Sequence, residues 1–459
     1  MLSDNNDNNY TPKTILITGI AGFIGSNCLE YLAKKYPNIL FIGVDKLIYC
    51  SDLRNIGDVY KLNNFIYYQI DLNDVSSVDK LFATYNIDTI MHYAAYTHVD
   101  HSFENSLEFS KNNIIATHVL LEYAKRHHIK RFIYVSTDEI YGSSDNISDE
   151  TSSSDPTNPY SATKCAAESI AKSYYHSFKL PIIITRGNNV YGPNQYPDKI
   201  IPLFTLNLFK NKKSFIHGSG LQKRSFLHVY DVAKAFEVIL FKGKIGEIYN
   251  IGSDNEINVL EIAHNILSIV KPGEKFEDWF DYGQDRPFND QRYYISSEKI
   301  KSLGWNQTIS FDTGLNMTIN WYKDNIKRWH NDNIHILIPK NQNMNIDHSQ
   351  HSNQQSNQQS INQEFNNQES INQEVINQEF NNQKFNVDEF KNIDFVQRFN
   401  ILLEMISTSS DISKITGYFE ELFYIIRLLE HTKFYQNLNI NRLIQLNTNF
   451  LLNNLKDKM

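Results

Sequence analysis

Three cysteines, Cys28, Cys50 and Cys165, are all that the 459 residues contain. They are odd in number and show no CxxC spacing, which argues against a disulfide framework and a structural zinc site and predicts no bound metal. Positive charge is not in excess: 44 Lys and Arg stand against 52 Asp and Glu, a formal net charge of −8 with a pI near 6.0. A protein whose main partner is a phosphate backbone concentrates positive charge on one face, so nucleic acid is not the expected partner. No apolar run reaches the roughly 18 residues that a membrane-spanning helix needs, so no membrane partner is expected. The opening MLSDNNDNNY has neither the basic stretch nor the apolar core of a secretory leader. These absences predict a soluble protein of a reducing, cytoplasmic compartment.

Length allows about two or three domains, and 41 % hydrophobic residues suffice for a core, yet a mean hydropathy of −0.45 points to one unusually polar segment. That segment is 341–386, dominated by Asn and Gln in near-repeats such as INQEFNNQES and INQEVINQEF. With so few apolar side chains it cannot offset the entropy of ordering, so a disordered linker is predicted. Beyond it, residues 388–459 regain helical periodicity. Phe395, Phe399, Leu402, Leu403 and Ile406 recur at spacings of three and four, as do Phe419, Phe423, Ile426 and Leu429. They predict a small helical tail whose partner the sequence does not indicate.

Upstream the pattern is of another kind. Short β-branched or aromatic runs at 14–18, 39–44, 65–70, 89–93, 131–136 and 181–185 alternate with helix-period stretches such as 103–125 and 160–178. Strands alternating with helices predict an α/β fold, a doubly wound parallel sheet of Rossmann type. A smaller C-terminal substrate domain is expected after it. We expect 12–190 to form mainly the dinucleotide-binding domain and 191–335 mainly the substrate domain. Ligands of such sheets bind beyond the carboxyl ends of the strands.

At the end of the first run stands Gly19-Ile20-Ala21-Gly22-Phe23-Ile24-Gly25, a GxxGxxG turn opening a helix. Glycines there let a pyrophosphate approach the free N–H groups of a helix N-terminus. Asp45 ends the second run, 20 residues beyond Gly25, where a carboxylate accepts both ribose hydroxyls and repels a 2′-phosphate. That favours NAD over NADP, although Lys46 beside it weakens the preference. Asp71 ends the third run, in reach of an adenine, and Ala94 and Ala95 end the fourth, leaving room for a dinucleotide. No GxxxxGK[ST] is present to suggest ATP hydrolysis.

The fifth run ends in Thr137-Asp138-Glu139, two adjacent carboxylates that are costly to desolvate unless paired or used. Downstream, Tyr160-Ser161-Ala162-Thr163-Lys164 is a YxxxK motif, its ends on one helical face. An ammonium beside a phenol is expected to lower the Tyr pKa from about 10 toward working pH.

The runs GIAGFIGS, VDKLIYCSDLRN, HYAAYTHVDHS, VSTDEIYG, PTNPYSATK, TRGNNVYGPNQYPDKIIP, HGSGLQKRSFLHVYD and DRPFNDQRY resemble, in order, an extended short-chain dehydrogenase/reductase. More narrowly, they resemble the nucleoside-diphosphoglucose 4,6-dehydratases. This resemblance implies NAD-dependent dehydration of dTDP-glucose to dTDP-4-dehydro-6-deoxyglucose, or the same reaction on UDP-glucose. A 4-epimerase would have no use for Asp138 and Glu139, and a non-catalytic sugar-nucleotide-binding scaffold would be free to lose TDE and YxxxK. By resemblance Tyr160 is the base at C4 supported by Lys164, Glu139 the base at C5, Asp138 the acid at C6, and Thr137 a partner of O4. The cofactor side comprises Gly19, Gly22, Phe23, Ile24, Gly25, Asp45, Lys46, Asp71, Leu72, Ala94 and Ala95, with Thr97, Asn113, Tyr160 and Lys164. Asn189, Arg224 and Arg286 would face the diphosphate. Phe288 and Asn289 depart from the usual Gly and His of the bacterial dTDP-glucose enzymes. A homodimer is implied, with the apolar helices at 104–125 and 160–178 as its basis.

Overall fold

Residues 10–283 and 292–329 are described by a computed structural model. Arg286, the expected linker at 341–386 and the expected tail at 388–459 lie outside the described residues. The first half lays down β1 (Thr14–Thr18), α1 (Phe23–Lys35), β2 (Leu40–Asp45), β3 (Phe65–Gln69), α2 (Val75–Thr84) and β4 (Thr89–His92). Then come α3 (Val99–Glu104), α4 (Ser106–Phe109), α5 (Ala116–Arg126), β5 (Arg131–Thr137), α6 (Pro159–Phe178) and β6 (Ile182–Gly187).

These strands form a seven-stranded sheet in the order β10-β6-β5-β4-β1-β2-β3, with β10 at Ile248–Ile251, and every pair is parallel. Their side chains are apolar on both faces because both faces are covered. One core holds Leu29 and Leu32 of α1 with Phe236 and Ile239 from α8 (Val229–Lys242). The other holds Leu81 of α2, Leu120 of α5, and Ala167 and Tyr174 of α6. β1 lies between β2 and β4, so the strand order reverses there and leaves a crevice at the carboxyl ends. The β5–β6 register sets Thr137 opposite Gly187, which brings the residues following the two strands together.

The second layer contains β7 (Asn189–Tyr191), α7 (Ile200–Phe209), β8 (Ser214–His217) and β9 (Lys223–His228), then β11 (Glu256–Asn258) and α9 (Val259–Val270). β12 (Phe280–Gly283), β13 (Arg292–Tyr293), α10 (Glu298–Lys301) and α11 (Phe311–Asp324) follow. Its core packs Phe204, Ile216, Phe226, Ile262, Ile266, Leu315 and Ile319 together. Although α8 and β10 come late in the chain, they return to the large sheet.

The stretch 103–125, expected as one helix, is broken. α3 ends before Asn105, and Ser110–Ile115 is a π-helical turn leading into α5. The wider turn accompanies burial of Asn112 and Asn113, and π-turns of this kind cluster at functional sites.

Candidate active site

Gly19 takes φ +73°, and a Cβ there would lie 2.8 Å from the backbone nitrogen of Ala94. A Cβ on Gly25 would meet the Gly19 carbonyl at 2.3 Å. The turn into α1 can be this tight only with glycine at both places. Beside it lies a cavity of about 220 Å³ lined by Gly19, Gly22, Phe23, Ile24 and Gly25, by Asp45, Lys46, Asp71 and Leu72, by Ala94, Ala95 and Thr97, and by Tyr160 and Lys164. Asp45 is held by the Ala21 and Leu47 N–H groups at 3.0 and 2.8 Å, and burial pushes its carboxyl up despite these bonds. Burial also acts to raise Asp71, but Asn73 and Lys46, the latter at 3.4 Å, bring it below its ordinary value. A glycine-floored slot with one buried and one ionised carboxylate at its far end fits a dinucleotide.

Asn113 does not line this cavity. It is 1 % exposed, and its amide holds the backbone of Tyr96 at 2.7 and 3.0 Å and Thr163 Oγ1 at 3.0 Å. It braces the Ala95–Thr97 loop from behind. His92, also behind the slot, is neutral: burial pushes it down to about 3. Thr117 spends its hydroxyl proton on the Asn113 carbonyl, so the His92 Nε2 carries the hydrogen toward Thr117 and Nδ1 accepts from Thr18.

A second cavity, of about 340 Å³, shares Phe23, Ile24, Thr97, Ser136 and Tyr160 with the first. Thr137, Asp138 and Glu139 enter it, with Asn189 and Arg224 at its wall. Thr137 caps the short 3₁₀ turn Asp138–Tyr141 by accepting the Glu139 N–H at 3.3 Å. That cap aims both carboxylates. Asn158, the N-cap of α6, accepts the Ser161 N–H at 2.9 Å and donates to Glu139 Oε2 at 3.1 Å. Asp138 is 2 % exposed; burial and the neighbouring charge of Glu139 push it up to about 7, against hydrogen bonds from Asn188 and Thr137 and the charge of Arg224. Two adjacent acids thus sit in different surroundings, one buried and raised, the other held by an amide.

Tyr160 departs from expectation. Burial raises its phenol, Glu139 and Asp138 raise it further, and a hydrogen bond with Thr137 opposes them. Lys164 is itself driven down to about 7 by burial, opposed by the charge of Glu168. Burial and the two carboxylates therefore leave the phenol above its ordinary value, not below it. The sequence reading also missed Asn158, Asn188 and Lys199, whose Nζ donates to the Thr97 carbonyl at 3.2 Å. Asn158 carried a signal, since Asn before Pro is a helix start; Asn188 is identifiable only once β5 and β6 are paired.

Between the cavities runs a strap, 192–196. Asn27 donates to the Pro193 carbonyl at 3.0 Å, Tyr322 donates to the Gln195 carbonyl, and Arg328 donates to Asn194 at 3.2 Å.

The sequence description of the GDP-mannose 4,6 dehydratase family matches residues 16–318. A dTDP-D-glucose 4,6-dehydratase of Homo sapiens is 46 % identical over 323 residues, covering 70 % of this chain and 92 % of the human protein. An Arabidopsis thaliana trifunctional UDP-glucose 4,6-dehydratase/UDP-4-keto-6-deoxy-D-glucose 3,5-epimerase/UDP-4-keto-L-rhamnose-reductase is 48 % identical over 328 residues, 70 % of this chain. The chain spans about half the length of that plant protein, 49 %. Among solved structures, a dTDP-glucose 4,6-dehydratase from Streptomyces venezuelae with NAD and TYD bound aligns with a TM-score of 0.66 at 33 % identity, over 69 % of this chain and 99 % of that one.

Proposed function

The chain belongs to the GDP-mannose 4,6 dehydratase family, and from that premise we propose that it is an NAD-dependent hydro-lyase converting dTDP-glucose to dTDP-4-dehydro-6-deoxyglucose and water. The observation that carries this is the pair of adjacent carboxylates in unlike surroundings at the end of β5, within a cavity shared with Tyr160.

Gly19, Gly22, Gly25 and Asp45 would hold NAD in the glycine-floored slot, where it would supply reversible hydride acceptance for the sugar. The chain's own groups move the protons. Tyr160, with Lys164 behind it, takes the proton of the C4 hydroxyl, so that C4 becomes a ketone. The ketone acidifies the C5 hydrogen, which Glu139 removes and gives back to C5 once C6 has been reduced. Asp138 protonates the C6 hydroxyl, which departs as water while the C5–C6 double bond forms. The raised Asp138 suits an acid working near neutrality. Thr137 hydrogen-bonds the O4 region, and Asn189 and Arg224 offer donors to the diphosphate. We carry Arg286, outside the described residues, in the same role.

UDP-glucose is the second reading, favoured by the 48 % identity to the plant protein. Both sugar nucleotides should be offered to the purified chain, first without added NAD. A product 18 mass units lighter, without stoichiometric reduced cofactor, is the expected result, and faster turnover of dTDP-glucose than of UDP-glucose supports the first reading. A product of unchanged mass, epimerised at C4, would replace both.

We also place the chain in a reducing cytoplasm, on its three free thiols, and as a homodimer. Phe103 and Leu107, Ile115 and Phe178 leave large apolar side chains exposed along the α3–α5 and α6 surface, Leu107 at 83 %. Light scattering on the full chain is expected to give twice its 53.5 kDa; a monomer would reject the dimer.

A further inference from the structure

Asn188 lies in the single-residue gap between β6 and β7, 5 % exposed, and lines the larger cavity beside Asp138. Its backbone N–H donates to the Ile251 carbonyl at 3.0 Å. The Ser253 N–H donates to its side-chain Oδ1 at 3.1 Å. A backbone N–H can only donate, so that atom is the amide oxygen and the flip of the side chain is settled. The Nδ2 group then faces Asp138 Oδ2 at 2.6 Å. The opposing backbone is shaped for this: a Cβ on Gly252 would stand 2.3 Å from Asn188 Oδ1, and Ser297 Oγ ties Gly252 through both its N–H and its carbonyl, at 2.9 and 3.1 Å.

An oxygen that accepts from an amide N–H at 2.6 Å is best served as the carbonyl oxygen of the acid, because the hydroxyl oxygen of a carboxylic acid is the far weaker acceptor. We propose that Asn188 is a positioning residue which fixes the Asp138 carboxyl and confines its acidic proton to Oδ1. Thr137 Oγ1 donates to the ionised Oδ1 at 3.3 Å, and once the acid is protonated the Oδ1–H turns to the same hydroxyl, which also meets Tyr160. The proton is thereby aimed toward the reacting sugar carbons rather than into the β6–β10 junction. The inference rests on the dehydratase reading for its consequence, but its geometry stands without it. The charged and titratable groups facing Asp138 are Glu139 on its own turn, Tyr160 from α6 and Arg224 from β9. Asn188 and Thr137 are the neutral donors among them, Asn188 the nearer, and by favouring the ionised form it keeps the acid strong enough to release its proton.

Two variants of the full chain test this. Asn188→Ala removes the donor, and kcat should fall by about 10- to 100-fold with KM for the sugar nucleotide unchanged. Run in deuterium oxide, this variant should return starting sugar carrying deuterium at C5, because Glu139 still exchanges that hydrogen while the C6 hydroxyl waits for its proton. Asn188→Asp keeps the acceptor for Ser253, and its second oxygen replaces the amide donor only while protonated. Its kcat should approach that of the unmodified protein at acid pH and fall steeply as pH rises. Carbon-13 titration of the Asp138 carboxyl in aspartate-labelled protein, assigned with Asp138→Asn, should move upward in Asn188→Ala. An unmoved titration overturns the proposal whether or not the chain is a dehydratase. Exchange and product falling in equal proportion overturn it too. Absence of turnover in the unmodified protein removes the dehydratase reading instead, and the titration still decides on Asn188.

Discussion

Asp138→Asn is expected to raise the thermal stability of the protein above neutral pH while lowering kcat by about 10²- to 10⁴-fold. Both effects follow from one burial. The Asp138 carboxyl is pushed from 3.8 up to about 7 by desolvation first and by Glu139 second. A group whose folded pKa lies above its unfolded value destabilises the fold once ionised. The penalty is absent below the unfolded value, grows between about pH 4 and pH 7, and is full above that. Three pKa steps correspond to about 4 kcal/mol at most. An asparagine relieves this without disturbing its neighbours, because its carbonyl can still accept from Asn188. Scanning calorimetry should therefore show the variant melting higher than the unmodified protein at about pH 8 and level with it near pH 4. Equal shifts at both pH values would sink the explanation. The same substitution leaves no acid for the C6 hydroxyl, so dehydration should fail while both ligands still bind.

The Glu168–Arg186 pair yields the second large effect. Arg186, in the middle of an apolar strand, is 1 % exposed and Glu168 is 2 % exposed. They meet through Nη2–Oε1 at 2.5 Å and Nε–Oε2 at 3.2 Å, with Lys172 on the same carboxylate at 2.7 Å. The guanidinium also lies 4.6 Å from the Tyr141 ring. Glu168→Gln strands a buried cation and should cost about 3–5 kcal/mol, whereas the double change to methionine, Glu168→Met with Arg186→Met, should recover most of it. Activity should not recover with stability. Glu168 is one helical turn beyond Lys164, and its charge opposes the burial that already holds Lys164 down to about 7. Without that charge Lys164 loses its proton at a lower pH, so the ammonium behind Tyr160 is present only in more acid solution. The basic limb of the pH–rate profile should move down in both the single and the double variant. A limb that stays in place while stability falls would leave the pair a purely structural one.

Much of the site was legible because its chemistry sits in contiguous motifs at strand ends. The GxxGxxG turn, Asp45, the Thr-Asp-Glu triplet and the YxxxK motif each combine a local backbone requirement with a chemical one, and all of them line the two cavities. What stayed hidden depends on packing between distant segments. The broken helix before α5 could not be read from periodicity, because the π-turn keeps an apolar face while burying Asn113 against Tyr96 and Thr163. Asn188 and Asn189 are indistinguishable as letters; the register of β5 on β6 and the Ser253 N–H separate them. The direction of the Tyr160 shift could not be read either, since it follows first from burial and then from the two carboxylates that the turn after β5 brings beside the phenol. Glu168 was visible as one more residue on the Tyr160–Lys164 face, but its partner lies 18 residues away on another element.

The strap at 192–196 also sets an order of assembly. Its Gln195 carbonyl is held by Tyr322 and its Asn194 side chain by Arg328, 127 and 134 residues further along the chain. The large sheet can begin to pair as soon as β1 to β6 are available, and the core that holds α1 closes once α8 and β10 have followed. The strap, which carries Gln195 into both cavities, cannot be pinned until α11 and the chain as far as Arg328 have been made and have docked. Contacts this far apart in sequence form late and slowly. Every strand of the large sheet precedes Tyr322 and Arg328 in the chain, so in a newly made protein folding of the scaffold is expected to run ahead of competence to react.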